Sequence, residues 1–158
     1  MVILVVIGIV PSFIVKNVVV NSYETRAVSI REVNLKNQCD ILGNQLMKEN
    51  YLREPDSDVI NGELSMLSAI YNGRILIINK DAKIIKDTYD IDVGKYALSE
   101  EVIQCFEGKS TANYDDKNAY IEMTSPITKM DSNTIEGVML VSISTSEIED
   151  SIDMLENR

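Results

Sequence analysis

The chain has 158 residues, 45% of them apolar and 25% charged, with a net charge of −10 and no histidine. This size and composition fit one folded domain plus an extension, and the acidic balance excludes a nucleic-acid partner, which needs a basic surface. The missing histidine excludes Ser-His-Asp and Cys-His catalysis, His-based metal sites and a phosphoacceptor histidine. Two cysteines, Cys39 and Cys105, are too few for a disulfide scaffold or a Cys-only zinc site; they read as small half-buried hydrophobes in helices, or as a pair if the domain lies outside the cell.

Residues 1–15, MVILVVIGIVPSFIV, carry no charge, but a full helical span needs about 20 apolar residues. A signal-peptide core lacks its basic flank and small-residue cleavage site here. A buried strand is interrupted by Gly8 and Pro11. The outer part of a membrane helix fits best, since Gly and Pro are tolerated there and Lys16 can snorkel to the interface.

Residues 16–50 contain no proline and one glycine. Val28, Leu35, Cys39, Leu42 and Leu46 recur at helical spacing, and Ile30, Val33 and Ile41 are expected to broaden that face. Such a helix is longer than a small domain is thick, so part of it should project. Pro55 ends it, and Ser57 or Asp58 caps a second helix with Val59, Ile60, Leu64, Leu67, Ala69 and Ile70 as apolar positions.

The stretch YNGRILIINKDAKIIKDT at 71–88 predicts a hairpin. Residues 75–78 are apolar at four successive positions, which calls for cover on both faces of a central strand. Residues 84–85 form a shorter run flanked by Lys83, Lys86 and Asp87, suited to a sheet edge. Residues 87–98 read as a polar loop, and Ser99 caps a short helix over 100–107 that stops at Gly108. Three more strands follow: a weak one at 112–114, one at 120–127 with Tyr120, Glu122 and Thr124 on one face and Ile121, Met123 and Ile127 on the other, and the longest at 135–145. Pro126 should sit where pairing has ended. A last helix begins at 146, with Ile148, Ile152 and Leu155 on one side. The order α-α-β-β-α-β-β-β-α predicts an α+β domain: one antiparallel sheet with helices packed on it, and the runs at 75–78 and 138–143 adjacent in its centre.

Taken together, RILIIN at 74–79, the KDAK turn at 80–83, IIKDT at 84–88, SEEVIQCFEG at 99–108, SPI at 125–127 and GVMLVS at 137–142 resemble the PAS-like extracytoplasmic sensor domain called single Cache, found in membrane-bound bacterial histidine kinases. The resemblance covers residues 72–148 closely. It implies a five-stranded antiparallel sheet of order 2-1-5-4-3, a long N-terminal helix running from a first membrane span and a C-terminal helix leading to a second. The domains are then a partial transmembrane segment at 1–15, a signalling and dimerisation helix at 16–50, a PAS-like single-Cache sensor domain at 51–146 and a C-terminal helix at 147–158. Ala82 stands where the family commonly has Gly, which asks for a turn without positive φ.

The acidic pieces are Asp87, Asp90 and Asp92, then Asp115 and Asp116. They lack the Gly and distal Glu of a calcium loop and read as solvated acidic loops. No nucleophile, oxyanion donor or glycine-rich phosphate loop accompanies them, so neither enzymatic activity nor a cofactor is expected of this chain. The resemblance implies that a small ligand, where there is one, binds between the sheet and the loops around the third helix. That places Tyr89, Tyr96, Tyr120 and Thr124 near a pocket, with Arg74 or Lys129 as charge partners; the alternative is tyrosines packed as lids over the sheet.

The expected function is the extracytoplasmic signal-sensing domain of a two-component sensor histidine kinase, passing ligand or cation binding to the membrane through its terminal helices. The alternatives are the ligand-binding domain of a chemoreceptor or membrane cyclase, and a membrane-tethered binding protein that does not signal. The expected assembly is a weak parallel homodimer along the first helix, with Val28, Leu35, Leu42 and Leu46 as its seam and Asn34 and Asn37 weakening it.

Overall fold

The computed structural model describes the backbone of residues 2–156 and the side chains of residues 15–154. Helix α1 (Val2–Lys48) leads to α2 (Asp58–Ile70), then strands β1 (Gly73–Asn79) and β2 (Ile84–Asp87), helix α3 (Glu100–Phe106), strands β3 (Ala112–Asp115), β4 (Tyr120–Thr128) and β5 (Ile135–Ser144), and helix α4 (Ser146–Glu156). The strands form one sheet in the order β2-β1-β5-β4-β3, with every neighbouring pair antiparallel. This is the α+β architecture and strand order that the sequence and its resemblance implied, with β1 beside β5 and β2 at an edge.

Alternation along the strands sorts two cores. Ile75, Ile77, Ile121, Met123, Met139, Val141 and Ile143 face α1 and α2, where Leu35, Cys39, Leu42, Leu46, Ile60 and Leu64 meet them. Leu76, Ile78 and Val138 point the other way, against Val102 and Cys105 of α3. Both sheet faces are thus covered, which explains why β1 is apolar at four consecutive positions. Cys39 and Cys105 are free thiols buried on opposite sides of the sheet, so the folded domain cannot pair them.

At 47 residues, α1 is about 70 Å long and packs on β4 and α4. One expectation for it fails. Ile30, Val33 and Ile41 do not broaden the buried face but stand exposed, because at about 100° per residue they fall on the side opposite Val28, Leu35 and Leu42. The projected seam of Val28, Leu35, Leu42 and Leu46 is the domain's own core, and an intramolecular sheet contact takes the place of a partner helix. The membrane segment expected at residues 1–15 falls almost wholly outside the described side chains. Among the described residues no helix is long and apolar enough to cross a membrane.

One turn and one strand depart from expectation. Ala82 adopts φ 58°, so this turn does use the left-handed region that L-residues normally avoid. It is held there by Asn79, whose side-chain oxygen accepts from the backbone N–H of Asp81 and Lys83, both at 3.0 Å. Pro126 lies inside β4, opposite Val138 of β5, rather than beyond the strand. The Thr124 N–H points toward β3's side, donating to the Thr111 carbonyl; two residues on, the Pro126 nitrogen points the same way, past the last β3 pair at Ala112 and Met123. No ladder hydrogen bond is lost there.

Candidate functional site

The candidate site is built on the α3-side face of the sheet, where β1 and β2 are held together by charge. Strand register sets Leu76 opposite Asp87, which brings Arg74 diagonally beside the Asp87 carboxylate. Arg74 donates from Nε to Asp87 Oδ1 at 2.9 Å and from Nη2 to Asp87 Oδ2 at 2.5 Å, a two-pronged pairing that fixes both groups. Asp87 is fully buried, and it also accepts the backbone N–H groups of Tyr89, Ile91 and Asp92, each at 2.9 Å. One carboxylate thus ties the strand edge to the loop after it. Thr88 continues the pairing, its N–H reaching the Ile75 carbonyl and its hydroxyl accepting from the Ile75 N–H, both at 3.0 Å.

The loop returns a second carboxylate to the same cation. Asp92 accepts from Arg74 Nη2 at 2.6 Å and from Lys95 Nζ at 2.6 Å, while the Tyr89 ring lies 5.9 Å from the guanidinium carbon, within cation–π range. Burial pushes the Asp87 carboxyl up, but the Arg74 guanidinium and the three backbone donors outweigh it and hold the group well below the usual carboxylate range. Lys95 first and Arg74 second lower Asp92. The Asp87 hydrogen bond raises Arg74 against the opposing effect of burial, so the guanidinium stays charged. Asp87 is therefore not part of a solvated acidic loop, as its sequence context suggested. Its backbone donors and one arginine are what a buried carboxylate needs to remain ionised. Among the described residues no group of three or more His, Cys, Asp or Glu side chains is placed to hold a metal ion.

Next to Arg74 the register continues a polar row, with Arg74 opposite Ser142 and Ser142 opposite Glu122. Ser142 Oγ donates to Glu122 Oε2 at 3.2 Å. Glu122 and Ser142 were not among the sequence candidates, although Glu122 shares its period-two face with Tyr120 and Thr124. Thr124 is buried on that face, one row up beside Leu140. Its Oγ1 accepts from the Thr111 N–H at 2.9 Å and lies 3.0 Å from the Thr111 hydroxyl, so it fastens the segment between α3 and β3. Tyr120 sits at the start of β4, opposite Ser144, partly exposed.

The remaining candidates are dispersed. Tyr96 bridges Lys83 beyond the β2 edge and is well exposed. Lys129 lies at the far end of β4, in a recess with Arg53, Glu136 and the C-terminal end of α1, and does not join Arg74. The structure thus brings together Arg74 and Tyr89, sets Glu122, Thr124 and Tyr120 along β4, two strands away across β5, and separates Tyr96 and Lys129 from them. The loop over this face exposes Ile91, Val93 and Leu98 beside Tyr89 and Tyr96.

No protein-family model matches the sequence, and no curated protein does. Solved structures do resemble the fold. The E. coli DcuS sensor domain aligns with a TM-score of 0.56 at 12% identity, over 76% of this chain and 96% of that one. The sensor domain of the V. cholerae histidine kinase DctB gives 0.55 at 13%, over 86% and 60%. The ligand-binding domain of the Campylobacter jejuni chemoreceptor Tlp3, in complex with L-valine, gives 0.52 at 14%, over 84% and 60%. The chain therefore spans about three-fifths of the latter two. At these identities the likeness concerns the fold: a PAS-like, Cache-type sensor-domain fold, as the motifs at 72–148 implied.

Proposed function

We propose that this chain is an extracytoplasmic signal-sensing domain, non-enzymatic itself, that serves a membrane two-component histidine kinase. The observation that carries the reading is the paired Arg74 under the loop at 88–98, on the sheet face away from the long helix, in a fold whose neighbours are sensor domains. The Arg74 guanidinium is about a quarter exposed and shared between a buried carboxylate, Asp87, and a half-buried one, Asp92. Asp92 has a second cation in Lys95, so an incoming anionic group can take its place on Arg74 at small electrostatic cost. Because the loop's N–H groups also grip Asp87, displacing Asp92 alters the loop and the β2 edge together. Such a ligand needs different affinities for the two arrangements, commonly worth about 1–3 kcal/mol of coupling.

The test is a thermal-shift titration of the chain with amino acids and small carboxylic acids, L-valine included. A ligand at about 100 times its Kd should stabilise the fold by about 2.7 kcal/mol, and Tyr89→Ala should abolish the response without lowering the ligand-free midpoint appreciably. No response across both classes, or a response that Tyr89→Ala and Asp92→Asn leave unchanged, counts against this site. A chemoreceptor parent is the second reading, supported equally by the Tlp3 likeness. Phosphotransfer or coiled-coil signalling activity of the full-length parent separates the two.

A further inference from the structure

A groove of about 500 Å³ runs along α1 where that helix meets the end of α2 and the start of α4. Tyr23, Ala27 and Ile30 line it at helical spacing from α1, with Arg26 and Arg31 beside them, and Tyr71 and Ile148 line it from the other elements. Ile148 belongs to the core on the α1 side of the sheet, and Ala27 and Tyr71 pack against that core, so the groove opens onto the core's edge. It lies across the sheet from the face that carries Arg74. The chain has a net charge of −10, yet among the described residues the groove is lined by two arginines and no acid. Arg31 is held in place but only partly used. Its side chain is 18% exposed, and its guanidinium carbon stands 5.5 Å from the centre of the Tyr71 ring, within cation–π range. Nη1 donates to Glu147 Oε2 at 3.2 Å, while Nε is buried and has no acceptor among the described residues. A buried donor without an acceptor is costly, and a guanidinium pairs a carboxylate best with two N–H groups at once, as Arg74 pairs Asp87. Arg31 meets Glu147 with one. Glu147 is 77% exposed and stands in the first turn of α4, where a negative charge is favoured whether or not Arg31 holds it. Such a pair is weak and open to exchange.

We propose that this groove binds a small organic acid, one carboxylate on an apolar body, at a site separate from that of Arg74. The carboxylate takes the place of Glu147 on Arg31. Arg26 adds a second cation, being exposed and without an ion pair among the described residues. The apolar body lies along Tyr23, Ala27, Ile30 and Ile148. The groove's volume falls within the range of about 300–1,000 Å³ of small-molecule sites, which likewise combine apolar walls with a few polar groups that fix orientation. A polyanion meets the chain's own negative charge, whereas a single carboxylate needs only the local excess of two arginines. Arg31 and Glu147 pair α1 with α4, so occupancy exchanges that tie for contacts between the ligand and Ile148. The effect is felt where the first and last helices meet, not in the loop over Arg74.

The experiment is isothermal titration calorimetry of the 158-residue chain with phenylacetate, and with acetate and phenylacetamide as probes that lack the apolar body or the charge. Phenylacetate should bind saturably, and each of the other two at least about tenfold more weakly. Arg31→Gln should weaken phenylacetate by about tenfold or more. Glu147→Gln should tighten it, because the competing carboxylate is gone and the arginine is free, a gain that a merely structural role for the pair does not produce. Tyr89→Ala and Asp92→Asn should leave this binding unchanged, so it stands or falls separately from the site at Arg74. Equal binding of phenylacetamide, weaker binding in Glu147→Gln, or loss of binding in Tyr89→Ala overturns the proposal. So does the absence of phenylacetate binding, whether the groove stays empty or light scattering shows a second copy there whose pairing Arg26→Glu dissolves.

Discussion

Asp87 is the residue on which the candidate site turns. Its carboxylate is fully buried and receives five hydrogen bonds, two from Arg74 and three from backbone N–H groups. Removing it takes away the guanidinium's two-pronged partner, leaving it Asp92 alone, and frees three backbone donors, so Asp87→Ala is expected to cost about 3–5 kcal/mol, measured by urea denaturation. The same group sets an acid limit. Its folded pKa lies below the unfolded value of about 3.9, so its stabilisation is complete above that value and is lost as pH falls toward the folded one. Stability should decline below about pH 4, and in Asp87→Asn that part of the pH profile should be flatter. Ala82 is a smaller case of the same kind. At φ 58° it bears a strain that glycine would not, so Ala82→Gly should raise stability by about 1 kcal/mol, less glycine's greater unfolded-state entropy.

At the scale of elements, the two faces of α1 differ in what they meet. Leu35→Ala, on the sheet side and fully buried, should cost about 2–5 kcal/mol through the cavity it leaves. Ile30→Ser, on the opposite side, should stay within about 0.5 kcal/mol for the monomer, and equal midpoints for the two variants would mean the faces are misassigned. Strand β4 shows how one element meets two demands. It pairs with β5 along its whole length but with β3 only up to Met123, and that difference in length is what admits Pro126.

The whole molecule is a sheet with separate cores on its two faces, and each core holds one thiol. Cys39 is pushed up to about 12 by burial and by Asp40, and burial raises Cys105 against the lowering effect of its Thr124 hydrogen bond. Both should resist a thiol reagent at pH 8 until the fold opens. They should not open together, because Cys105 sits on the short helix α3 and Cys39 on the long α1. If the α3 side unfolds locally first, Cys105 reacts at lower denaturant than Cys39. Simultaneous reaction would instead point to one cooperative unit.

The sequence by itself determined the elements and their order, because caps, breaks and apolar periods are local. Ser57 caps α2 by accepting from the Ile60 N–H, while Ser99 stands at the start of α3 without the expected side-chain cap, Gly108 takes φ 90° after α3, and the β-branched runs fall in β1 and β5. The family motifs then supplied the strand order, which no local signal contains. Only the tertiary structure decided which partners the charged and apolar groups found. Arg74, Asp87 and Asp92 lie 13 and 5 residues apart in sequence, and only the β1–β2 register and the returning loop bring the three onto one face. Helix α1 has apolar side chains on both sides, and periodicity cannot say which of them meets the sheet. That choice fell to the side bearing Leu35, Leu42 and Leu46, whose large side chains fill the space over β4, and it left the stripe of Ile30 and Val33 facing outward.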